Sequence, residues 1–138
     1  MILRRIGAVV LGVILAVGIV QVVEVIGHKM YPPPPGYNMH DMNNVKKYVA
    51  SLPVTVLVVV LAGWLVGTLV GTFAAAKIGR SFVPGYIVGV FLVAGGIANA
   101  LVIPQPLWFS IASFVIYIAM TLIGAHFGVR RLAAAFPK

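Results

Sequence analysis

In a chain of 138 residues, 62% are hydrophobic and 9% charged, with a mean hydropathy of +1.10; this is too apolar for a water-soluble domain and is the composition of an integral membrane protein. Ten Lys and Arg against only Glu24 and Asp41 give a formal charge of +8, but the cations lie scattered at the ends of apolar runs, which excludes nucleic acid as a partner and makes them topology signals and contacts for anionic headgroups. The absence of cysteine excludes a disulfide framework and a thiolate metal centre.

Met1 to Arg5 is a short basic head, and an apolar run from about Ile6 to Gly27 follows it. The run exceeds the ~7–15-residue core of a signal peptide, and His28-Lys29 follow where a small-residue cleavage site would stand, so it reads as a first span. Ala8, Gly12, Ala16, Val20, Glu24 and His28 recur at steps of four, with Gln21 adjoining, and this face is expected to turn inward. An exposed carboxylate within a membrane is costly. Gln21, Glu24 and His28 are therefore expected to form a polar cluster at the end of this helix, with His28 at ion-pair spacing from Glu24.

Residues 28–52 form the one long polar connection. Pro32 to Pro35 stop the helix and favour an extended polyproline strut that holds the loop away from its end. Residues from about Met39 to Tyr48 suit a short interfacial helix with Asn38 or His40-Asp41 near its start and Val45, Tyr48 and Val49 toward the membrane. Met39, His40 and Met42 also form a soft-ligand group of the kind that takes Cu(I), set against a reading of the methionines as interfacial contacts and of His40 as a cap-region residue.

The second span, about 53–76, begins at Pro53 with Ser51 as a candidate cap. It carries Gly63, Gly67, Gly71 and Ala75, a bare stripe about 18 Å long that lets another backbone approach closely. The stripe predicts assembly rather than chemistry. Lys77 to Arg80 make a compact basic turn, the third span covers about 83–103 with Gly85, Gly89, Gly95, Gly96 and Asn99, and Pro104-Gln105-Pro106 leads into a fourth over about 107–129. Trp108 stands where an interfacial anchor is expected.

The expected architecture is one all-α domain over 1–138, a four-helix up-down-up-down membrane bundle. Arg4, Arg5, Lys77, Arg80, Arg130, Arg131 and Lys138 gather at one side and Lys29, Lys46 and Lys47 at the other, which predicts both termini in the cytoplasm and residues 28–52 outside. A shift of 53 residues lays Pro53 on Pro106, Trp64 on Tyr117, Thr68 to Gly71 on Thr121 to Gly124, and Lys77 on Arg130, which raises a pair of parallel helical hairpins as a second description.

The run Glu24, His28-x2-Tyr31-Pro32-Pro33-Pro34-Pro35-Gly36, Tyr48 to Pro53 and the glycine stripe resembles a group of small uncharacterised four-helix bacterial inner-membrane proteins. The resemblance implies that membrane and no particular activity. With two carboxylates in the whole chain, and no nucleophile–base set or phosphate-cradling loop, the sequence predicts neither an enzyme nor a bound cofactor. The expected function is structural or accessory, the stripe docking a second copy or a subunit of a larger membrane complex. The alternative is a small oligomeric transporter or channel for protons, cations or small molecules, using Gln21, Glu24, His28, Asn99 and the hydroxyls of Thr68, Thr72, Tyr117 and Thr121.

Overall fold

The computed structural model describes residues 1–135, and these are all-helical: α1 (Ile2–Met30), α2 (Met42–Ser51), α3 (Val54–Gly79), α4 (Phe82–Val102) and α5 (Leu107–Ala135). Every helix but α2 is long and apolar enough to cross a membrane. The protein is a multi-pass helical membrane bundle. Lys138, counted above with the basic cluster, lies outside the described residues.

α1 and α5, of 29 residues each, are about 43 Å long and overrun a hydrocarbon core of about 30 Å. Both extend past the expected spans because the backbone ladder continues through good helix formers outside the apolar run, Leu3, Arg4, Arg5, Lys29 and Met30 in α1 and Arg130 to Ala135 in α5. α3 likewise continues to Gly79 and closes on Arg80, which is left-handed (φ 52°). Ser81 donates its N–H to the Ala76 carbonyl at 3.2 Å and Arg80 to Lys77 at 3.3 Å, the double closure that turns a helix sharply. Ser81 then caps α4 by accepting from the Val83 N–H at 3.3 Å. Ser51 does not cap α3; it is the last residue of α2 and its hydroxyl donates to the Tyr48 carbonyl at 2.7 Å.

α3 is the hub and touches α1, α4 and α5. Its small-residue stripe is filled from within the chain. A Cβ on Gly71 would come 2.6 Å from the Gly12 carbonyl oxygen of α1, and one on Gly67 2.9 Å from that of Ala16. Gly63 makes room for Val23, and Ala75 is fully buried where α1 passes at Gly12. The inward face of α1 is thus Ala8, Gly12 and Ala16, all buried, lying antiparallel against the stripe. This corrects the expectation that a second copy or subunit fills it: the long polar connection folds back and returns α3 beside α1, and two small-residue faces are satisfied by each other. On the opposite side α5 runs parallel to α3, with Gly124 against Thr72 and Gly128 against Phe73. The Thr72 hydroxyl donates to Thr68 at 2.7 Å and lies 3.3 Å from the Met120 carbonyl of α5.

The proline run does not hold the loop away from α1. Tyr37 donates to the Pro34 carbonyl at 3.2 Å around Pro35-Gly36, with Gly36 at φ 89°, so Pro35 and Gly36 form a tight turn of the kind that needs a positive φ at its third residue. The chain folds back. α2 starts later than expected, at Met42, because the Asp41 carboxylate accepts from the Asn43 N–H at 3.0 Å and sets the cap there. Tyr48 is buried, donates its hydroxyl to the Tyr31 carbonyl at 2.5 Å, and stacks on Tyr31 and on His28.

Candidate functional site: a crevice around Glu24

α1 and α4 meet in the basic half of the bundle, where a Cβ on Gly12 would come 3.0 Å from the Val88 side chain. Beyond Val17 and Phe91 they part, and a cavity of about 240 Å³ occupies the gap with Trp64 and Thr68 of α3 and Tyr117 of α5 behind it. A second cavity, about 300 Å³, lies nearer the loop under α2. The two share Glu24, Trp64 and Asn99 as walls, so the carboxylate stands where they adjoin. Volumes of this size fall at or just below the lower end of the range for small-molecule sites, about 300–1,000 Å³.

The walls are built by local packing. Trp64 stacks on Tyr117 at 5.7 Å between ring centroids and meets Phe109 edge-on at 5.2 Å. Tyr117 packs against Gly96, where a Cβ would come 2.7 Å from the ring, so the bare glycine of α4 leaves room for the ring. Val45, Tyr48 and Val49, expected on the membrane side of α2, line the loop-end cavity and make α2 one of its walls. The apolar side of this short helix lies against the hollow between the spans.

Of the expected polar cluster, Gln21 donates to a Glu24 carboxylate oxygen at 3.4 Å, a long bond. The ring nitrogen Nδ1 of His28 lies 2.8 Å from the Glu24 backbone carbonyl, so the imidazole meets the backbone of the helix and stacks at 5.5 Å on Tyr48. Glu24 is half-buried while Gln21 and His28 are exposed; Glu24 lines both cavities, Gln21 the one between α1 and α4, and His28 the one at the loop end. Asn99, which sequence reasoning placed only in a transport path, lines both cavities, and its amide has no hydrogen-bond partner among the described residues. Gln105 lines the loop-end cavity and donates to Ser110 at 2.9 Å.

Two of the four hydroxyls of the expected path, those of Thr72 and Thr121, are otherwise engaged. Thr72 donates to the carbonyl of Thr68, and Thr121 donates to that of Tyr117 at 2.6 Å, both buried, which spends their donors on their own helices. From Gly71 toward the basic end the helices are in contact, and the crevice closes there. Of the soft-ligand residues, Met39 lines the cavity while His40 and Met42 are exposed, and the His40 N–H bonds the Asn38 side chain at 3.0 Å. The three do not share one wall. Among the described residues no cluster of His, Asp or Glu suits a metal.

What the crevice offers is one carboxylate, the Asn99 amide and stacked aromatic rings in a space that lies between α1 and α4 and extends to the loop end. Comparison with protein-family models, curated proteins and solved structures finds no match.

Proposed function

We propose that this is a small-ligand-binding membrane protein of the carrier type, set in a bacterial inner membrane with its basic end in the cytoplasm, and that the crevice around Glu24 is its binding site. The observation that carries this reading is the pair of adjoining cavities that share Glu24, Trp64 and Asn99. A membrane protein keeps an intramembrane carboxylate at a cost, and one that lines a cavity is the usual mark of a ligand or ion path. The distribution of Lys and Arg supports the orientation. The closed half supports a carrier over an open channel, since passage then needs a shift along the glycine seams, where backbones meet without interlocking side chains. Ligand turnover is not part of this reading, because Glu24 has no second carboxylate beside it to divide acid and base roles.

A structural subunit assembling through Gly63, Gly67, Gly71 and Ala75 has less support, because α1 takes up that face. The chain contains no cysteine, so single replacements report cleanly. In sealed proteoliposomes, Asn99→Cys should react with a small impermeant thiol reagent from the loop side while Ala125→Cys, packed in the basic half, stays inert. Slower reaction of Asn99→Cys from the opposite side marks the carrier. No reaction from either side overturns the crevice as a site.

A further inference from the structure

The walls of the crevice define the class of ligand it takes. In a chain of formal charge +8, neither cavity has a Lys or Arg in its lining, and both are bounded by Glu24, the one acidic residue in the four spans. The site therefore has the opposite sign to the rest of the protein, which turns away anions and attracts cations. A divalent metal ion is poorly served. Calcium takes about 6–8 oxygen ligands and magnesium near-ideal octahedral oxygen, whereas one carboxylate and the amides of Asn99 and Gln105 are present.

The remaining surface is aromatic. Trp64, stacked on Tyr117 and abutted by Phe109, lines both cavities, while Tyr48 and His28 form a second stack on the loop side. Aromatic faces hold a weakly hydrated cation, and a carboxylate beside them supplies the counter-charge that an uncharged cage lacks. The carboxylate is available for it: its hydrogen-bond donor among the described residues is Gln21, at 3.4 Å. Resting on the reading of the crevice as a binding site, we propose that the ligand is a substituted organic ammonium, with its cationic group between Glu24 and the rings of Trp64 and Tyr117 and its apolar part along the gap between α1 and α4. Either a free amine or the ammonium headgroup of a lipid entering through that gap presents this chemistry.

The buried Trp64 reports on the site. It is 7% exposed while Trp108, the other tryptophan, is 43% exposed and is replaced by Phe to leave one emitter. In a neutral maltoside micelle, phenyltrimethylammonium should change Trp64 emission saturably, whereas tert-butylbenzene, its neutral isostere, should not. Glu24→Gln should weaken the binding roughly tenfold or more, the size of one lost ion contact out of water. Asn99→Asp, which adds a second carboxylate at the same wall, should tighten it, so a fold defect in the first variant does not leave the idea without a test. Competition by dihexanoylphosphatidylcholine but not by dihexanoylphosphatidylglycerol assigns the ammonium to a lipid headgroup; competition by neither assigns it to a free amine. Equal effects of the cation and its neutral isostere, or unchanged affinity in both variants, overturn the proposal. If Asn99→Cys is nonetheless labelled from the loop side, the crevice stands and only the ligand class falls.

Discussion

Trp64 and Tyr117 stack face to face, 18° between ring planes, and they occupy equivalent positions in two segments related by a shift of 53 residues. α3 and α5 each begin just after a proline and run side by side in the same direction, so residues equally far from those prolines reach the same depth and meet. The pair forms the floor of the crevice and a large part of the buried core, together with Leu57, Leu61 and Phe109.

Replacing either ring by Leu removes buried area and the stack at once. Trp64→Leu and Tyr117→Leu should each destabilise the fold by about 2–4 kcal/mol. The double variant should fall short of the sum by about 1 kcal/mol, the coupling typical of an aromatic pair. Reversible unfolding in mixed micelles measures this cycle. Full additivity would show that the rings share a region without supporting each other.

The glycines sort into those that carry a neighbour and those that face open space. Gly71→Ala should cost about 1–3 kcal/mol, because its Cβ would stand 2.6 Å from a backbone oxygen that moves only with α1. Gly18→Ala should be neutral or slightly stabilising, since nothing lies within 4 Å of its Cβ and alanine is the better helix former. Thermal unfolding of the two proteins in detergent compares them directly; equal melting temperatures would mean that α1 does not sit on the stripe.

That contrast also marks how far the sequence is legible. Four apolar runs and a four-residue spacing of small residues specify the spans and a close backbone contact, because both follow from local periodicity. Which helix enters the groove does not. Gly63, Gly67 and Gly71 read alike whether α1 or a second copy lies on them, and the choice depends on the long polar connection folding back to bring α1 beside α3. Glu24 is legible as a costly residue that seeks cover, and Asn99 and Tyr117 as polar members of a path with it, whereas their meeting beside Trp64 in one gap between α1 and α4 is not. Gly96 admits the Tyr117 ring, and two adjacent glycines in a Gly-rich span give no sign of which one does so.

The basic end and the loop end should label from opposite sides. Asn43 is exposed on α2 and Arg130 is exposed near the far end of α5, and each is replaced singly by Cys in a chain without cysteines. An impermeant maleimide applied to intact cells should modify Asn43→Cys and spare Arg130→Cys, which should react only after permeabilisation. Equal reaction of both before permeabilisation would show insertion in two orientations.

The loop should stay anchored until Tyr48 ionises. Its phenol donates to the Tyr31 carbonyl, and only the neutral form has that proton. Burial pushes the Tyr48 hydroxyl's pKa above its ordinary value near 10, and Tyr31 beside it pushes in the same direction. A raised pKa on an acid means that the fold favours the neutral form. Its contribution is complete below the unfolded value of about 10 and is lost as the pH rises from there through the folded value. A fluorophore on Asn43→Cys should therefore show constant anisotropy from neutral pH to about pH 9.5 and a fall above about pH 10. Tyr48→Phe keeps the ring stacked on His28 and removes only the bond, at a cost of about 1 kcal/mol in closing the loop. Its anisotropy should start lower and lose the part of the alkaline fall that belongs to Tyr48. Lys46 and Lys47 are exposed on α2 and present in both proteins, so the difference between the two profiles isolates the phenol. Tyr31→Phe should leave the profile near that of the parent, because the acceptor is a backbone carbonyl that survives the change. If Tyr31→Phe and Tyr48→Phe behave alike, ring packing rather than the hydrogen bond holds the loop over the crevice.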